Sequence, residues 1–96
     1  METKKAWCVK THIVSDYKTI VDENKMFRCR EDAEKLFNNI VKKKREIAIN
    51  KNFVFERDDN RNFRAFEEDK YEHNHIVVAL MYLEHLSNKT QINFEK

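Results

Sequence analysis

The sequence predicts an α+β fold: one domain, ββαβββ in order, with a single amphipathic helix packed on an antiparallel sheet. Three observations point there. Residues 30–49 carry an apolar stripe at helical spacing, two tetrapeptides of turn-forming residues flank that stretch, and the most apolar run of the chain begins at Ile76. With 96 residues there is room for one modest core and no second domain.

Ala6 to Val14 reads as a strand, with Trp7, Val9 and Ile13 on one face and Cys8, Lys10 and His12 on a wetter one. Tyr17 to Val21 either prolongs that strand or forms another. Asp22-Glu23-Asn24-Lys25 then reads as a turn before a strand from Met26 to Cys29, with Asn24 the residue best able to take a left-handed conformation.

The helix follows. From Arg30 to Ile49, Ala33, Leu36, Phe37, Ile40, Val41, Ile47 and Ala48 form the stripe, and Glu34, Lys35, Asn38, Asn39, Lys42 and Lys43 fall largely elsewhere. The acidic opening Glu31-Asp32 and the basic ending Lys42-Lys43-Lys44-Arg45 both suit the helix macrodipole.

Asp58-Asp59-Asn60-Arg61 repeats the acidic, acidic, Asn, basic pattern between Phe53 to Arg57 and Asn62 to Glu67. It predicts a second hairpin closed by a type I turn with Asn60 in the left-handed region. Glu67 to Asn74 is polar and acidic and reads as an exposed loop or a continuation of the hairpin's rim. Ile76 to Leu86 suits strand or helix, and strand is preferred because the central helix requires an apolar sheet to cover. Residues 87–96 read as a flexible tail or an edge strand, since Ile92 and Phe94 alternate.

Composition narrows the function classes. Charged residues make up 38% of the chain, so the surface is heavily ionic, yet the net charge of +2 is too small for a global nucleic-acid attractor. The charge is unevenly spread: residues 1–52 hold 13 basic against 8 acidic side chains, and residues 53–96 hold 6 against 9. Glycine and proline are both absent, which removes glycine-dependent phosphate loops. Cys8 and Cys29 make no disulfide framework, the first apolar run is interrupted by Lys10 and His12, and no run is long enough to span a membrane. A reduced, cytoplasmic setting is expected.

No residue pattern identifies a reaction. His73 and His75 stand two apart and would share a strand face, with Glu72 or His85 as further ligands, but two histidines do not make a zinc site and no metal or cofactor is expected. Cys29, between Arg28 and Arg30 at the helix start, has the surroundings of a reactive thiol or simply fills space under the hairpin. Asp58, Asp59, Glu67, Glu68 and Asp69 lie in turns, where water keeps paired carboxylates from acid/base work. The chain is expected not to be an enzyme.

Two surfaces remain as candidates. Glu67, Glu68, Asp69 and Glu72 around Tyr71 form an acidic rim able to imitate phosphates and enter a basic groove on another protein. Lys42, Lys43, Lys44 and Arg45, with Lys51 nearby, form the alternative, a nucleic-acid contact; Phe53 and Phe55 supply aromatics but no RNA-binding signature accompanies them. A third reading is a homodimer with a structural role, joined through an uncovered sheet edge.

Trp7-Cys8-Val9, the segment Asp22 to Phe27 and Glu31-Asp32-Ala33-Glu34-Lys35-Leu36-Phe37 together resemble the hairpin-then-helix opening of small proteins encoded by phages and mobile elements, among them anti-CRISPR proteins. The resemblance covers about the first 40 residues and is architectural. It implies a phage-encoded, protein-binding inhibitor of a host nucleic-acid-processing or defence complex, acting in the host cytoplasm, and transfers no functional residue.

Overall fold

The computed structural model describes residues 4–86 and 91–95. Its elements run β1 (Lys4–Ser15), β2 (Lys18–Phe27), α1 (Arg30–Asn50), β3 (Val54–Asp58), β4 (Asn62–Phe66) and β5 (His75–Leu86), the ββαβββ order expected. All five strands form one antiparallel sheet in the order β2-β1-β5-β4-β3, so the apolar run from Ile76 becomes a strand held between β1 and β4.

Alternation decides the two faces. The β1 residues Val9 and Ile13 lie opposite Leu80 and Ile76 of β5, and beside them Phe63 and Ala65 of β4 complete the apolar face. Against it α1 sets Ala33, Phe37, Val41 and Ala48, all buried, with Leu36 and Ile40 at the margin. The opposite face is less wet than the sequence implies: Cys8, expected on an exposed side, is 1% exposed. Burial raises the Cys8 thiol pKa above its ordinary value, so this thiol is held protonated.

The helix starts where expected and ends one residue later. Cys29 takes the extended cap conformation without a side-chain cap, and Glu31 and Asp32 face the dipole in the first turn. At the other end, Asn52 sits at φ 57°, its N–H donates to the Ile49 carbonyl at 3.1 Å, and the Phe53 N–H reaches the Ala48 carbonyl at 2.9 Å. That pair of bonds is a Schellman stop, with asparagine in the place glycine usually fills. Lys42 to Arg45 therefore lie before the final turn, which contains no basic residue, and do not serve the dipole as expected.

The first turn is displaced from its expected place. Asp22-Glu23-Asn24-Lys25 lies inside β2, with Asn24 opposite Lys10, and the hairpin turns instead at Asp16 and Tyr17, with φ 53° and 65°. Two consecutive left-handed residues match the right-handed twist of the flanking strands, as in a type I′ turn. Only this register sets Val21 opposite Ile13 and Phe27 opposite Trp7, which places both on the face α1 covers.

The second hairpin turns where expected, but by different chemistry. Asp59 Oδ1 accepts the N–H groups of Arg61 at 2.9 Å and Asn62 at 2.7 Å, and Asn60 is not among the residues with positive φ. An aspartate side chain closing the turn removes the need for a left-handed asparagine. Of the segment read as tail or edge strand, 87–90 and 96 lie outside the described residues; Phe94 makes one parallel bridge to Met26 at the β2 edge, and the Glu95 N–H donates to the Met26 carbonyl at 2.7 Å.

Candidate functional site: the acidic hairpin end

The turn at Asp16-Tyr17 and the loop between β4 and β5 meet at one end of the sheet. The Tyr17 N–H donates to the His73 carbonyl at 3.0 Å, and the Asp16 N–H donates to Asn74 Oδ1 at 3.1 Å. The Tyr17 ring tilts against the His73 imidazole with centroids 4.6 Å apart, yet Tyr17 remains 70% exposed. A shallow depression is lined by Tyr17, Asp69, Lys70, Tyr71, Glu72 and His73.

His73 is the clasp. Its Nδ1 faces Glu67 Oε2 at 2.5 Å and its Nε2 faces Asp16 Oδ1 at 3.2 Å, so each ring nitrogen has a carboxylate partner. The hydrogen bond to Glu67 above all, then the one to Asp16, raises the His73 pKa above its ordinary 6.5. Glu67 accepts from Asn74 Nδ2 at 2.9 Å, and the bonds from Asn74 and His73 hold its carboxyl below its ordinary 4.5.

The pH window follows from those directions. The His73 contribution is fully present below 6.5 and is lost as pH rises through the raised folded value. The Glu67 contribution is present above 4.5 and is lost as pH falls through the depressed folded value. NMR titration of the His73 ring should therefore give a midpoint above 6.5 that falls in Glu67→Gln. A midpoint at or below 6.5 would remove the ion-paired clasp.

The structure redistributes the expected acidic rim. Glu68, Asp69 and Glu72 are exposed, and among the described residues none of them forms an ion pair. Glu67 is committed to the clasp. Tyr71 lines the depression but its ring is engaged: it stacks on the buried His75 at 4.0 Å, meets Phe66 edge-on, and its hydroxyl accepts from Arg64 at 3.0 Å. Tyr17 stands where Tyr71 was expected. The break at Ser15-Asp16 between the strand-like stretches Ala6 to Val14 and Tyr17 to Val21 was the available signal, masked because the two left-handed residues, Asp16 and Tyr17, are not glycine.

The basic run is also divided. Lys42 and Lys43 are exposed and Lys44 is half-buried. Arg45 is bound by Asp58 of β3, with Nε donating to Oδ2 at 3.0 Å, and lies over the Phe63 ring. A helix turn spreads four consecutive residues around its circumference, so the run is not one charged face. His73 and His75 diverge too, the first toward the hairpin end and the second stacked between Tyr71 and His12. Among the described residues no cluster of His, Cys, Asp and Glu is placed to hold a metal, and the His85 side chain lies outside them. Cys29 Sγ donates to Glu31 Oε2 at 2.7 Å.

Comparison with known proteins finds no matching family model, no matching curated protein and no matching solved structure. Among the described residues, no helix is long and apolar enough to cross a membrane.

Proposed function

We propose that this chain is a small non-enzymatic protein-binding module whose acidic hairpin end enters a basic groove on another protein. The observation that carries the reading is Tyr17: a bulky residue held at positive φ, 70% exposed, beside Asp69 and Glu72. A tyrosine in that conformation costs about 1–2 kcal/mol that glycine would not. The contact with His73 offsets that cost only in part and leaves most of the ring in water, whereas an interface gains a rigid aromatic anchor. Asp69 and Glu72 beside it, with the exposed Glu68 next to Asp69 in the loop, would steer the encounter and match a surface built for phosphate, while Asp16 is held by His73.

Grooves of that kind belong to complexes that handle nucleic acid. Together with the phage-type opening of the sequence, this supports a phage-type inhibitor of a host nucleic-acid-processing or defence complex as the finer reading. The nucleic-acid alternative keeps Lys42 and Lys43 but loses Arg45 to Asp58. Homodimerisation through β3 has an exposed edge, interrupted between Phe55 and Arg57 by an irregularity that discourages strand pairing.

The test is capture of a host protein by the purified chain, its identification, and repetition with Glu68→Lys, Asp69→Asn and Glu72→Lys combined. Asp69 sits at φ 59°, so asparagine removes its charge while tolerating the backbone; Glu67 is left in place because it holds His73. Association is expected to slow about tenfold or more and to lose most of its salt dependence. Unchanged capture would remove the acidic end from the account.

A further inference from the structure

We infer that the cleft between the outer half of the first hairpin and the C-terminal half of α1, which adjoins the acidic end at Asn74, is a second binding site, for an acidic peptide carrying one bulky apolar side chain. Neither the acidic hairpin end nor its partner is needed for this argument. The apolar lining includes Ile20 and Val21 of β2, Ile47 of α1, Phe53 and Ile76, with Lys44 and Lys51 among the lining side chains.

The hairpin itself opens this cleft. The β1–β2 register jumps from Ile13↔Val21 to Val14↔Thr19, leaving Ile20 without a partner. One extra residue in a strand re-aims the side chains beside it. Consecutive residues of a regular strand point to opposite faces, yet Ile20 and Val21 both line the cleft. Ile20 is 61% exposed and Ile47 is 39% exposed, so two isoleucines stand in water across a concave surface. Ile47, expected in the buried stripe of the helix, is the stripe residue that the sheet leaves uncovered.

Volume and charge select the occupant. The cleft holds about 170 Å³. An apolar cavity of roughly 150 Å³ admits a benzene ring, so the cleft has room for one phenylalanine or leucine side chain. Lys44 lies one turn before Ile47 on α1, and Lys51, the C-cap residue, follows Ile47 at the helix end, so both cations line the cleft with the apolar centre. Among the described residues no carboxylate lies within ion-pairing distance of either lysine. Lys51 instead rests 6.0 Å from the Phe53 ring centroid. An apolar seat between two unneutralised lysines matches an apolar residue flanked by carboxylates. A nucleotide would meet two cations, but of the polar lining the Asn74 amide is already bonded to the Asp16 N–H and to Glu67, which leaves Ser15 to read a base edge and Phe53 as a ring to stack on.

The experiment is an NMR titration of the full chain with a capped peptide of four glutamates around one central phenylalanine. Shifts are expected at the Ile20 and Ile47 methyl groups. Replacing the central residue by alanine should weaken binding about tenfold or more, as should Lys44→Glu with Lys51→Glu. Because Ile20 is largely exposed, Ile20→Ser keeps the fold and supplies an independent loss of affinity. Four results overturn the assignment: no methyl shifts; equal binding of the alanine peptide, which marks a merely ionic contact; displacement by a single-stranded oligonucleotide at comparable concentration; or concentration-dependent protection of Ile20 and Ile47 without peptide, which makes a second copy the occupant.

Discussion

Phe63→Ala is expected to lower the stability of the domain by about 3–5 kcal/mol, the largest change any single truncation here should produce. Phe63 is 0% exposed, sits in β4 beside β5, meets the Phe55 ring edge-on at 5.5 Å, and lies under the Arg45 guanidinium. Removing the ring deletes its burial and leaves a cavity that strands on both sides prevent from collapsing. A chain of this size has about 5–15 kcal/mol in total, so the variant should approach the edge of folding at 37 °C. Urea unfolding checks it: the midpoint should fall steeply with the slope unchanged. Phe55→Ala is the control, because Phe55 is 36% exposed and its loss should cost about 1 kcal/mol. A loss below about 1 kcal/mol for Phe63→Ala would mean that β4 is not part of the cooperative core.

Tyr17→Gly should separate folding from binding. Glycine relieves a left-handed residue of about 1–2 kcal/mol, but it loosens the unfolded chain by about 0.5–1 kcal/mol and loses the contact with His73, worth about 0.5–1.5 kcal/mol. These changes offset one another, and the urea midpoint should move by less than about 1 kcal/mol. Binding should not be spared. An aromatic anchor at the centre of an interface is worth about 2 kcal/mol or more, so affinity for the captured partner should fall about 30-fold or more. Binding that survives intact would make Tyr17 a bystander. Stability and binding lost together would mean that the ring serves the turn and not a partner.

Much of the fold was legible because its signals are local. The stripe from Ala33 to Ala48, the acidic first turn and the apolar run after His75 each depend on residues a few positions apart. The second hairpin was placed correctly for a similar reason: Asp59 closes a turn by bonding to backbone two and three residues ahead. Its detailed chemistry was misassigned to Asn60 because sequence alone does not say which of two adjacent polar residues does the bonding.

The candidate sites were less legible, for a physical reason. Sequence by itself determined the elements, their order and the location of the charged loop, since periodicity and turn propensity act over one or two turns of chain. Tertiary structure alone decided the hairpin register, because only burial of Val21 and Phe27 against the helix distinguishes a turn at Asp16-Tyr17 from one at Asp22 to Lys25. That single choice brought Tyr17 to His73 and freed Ile20 into the lysine-flanked cleft. Contacts between residues more than fifty positions apart, such as Asp16 with His73, are written nowhere in local pattern and arise only when every strand has found its neighbour.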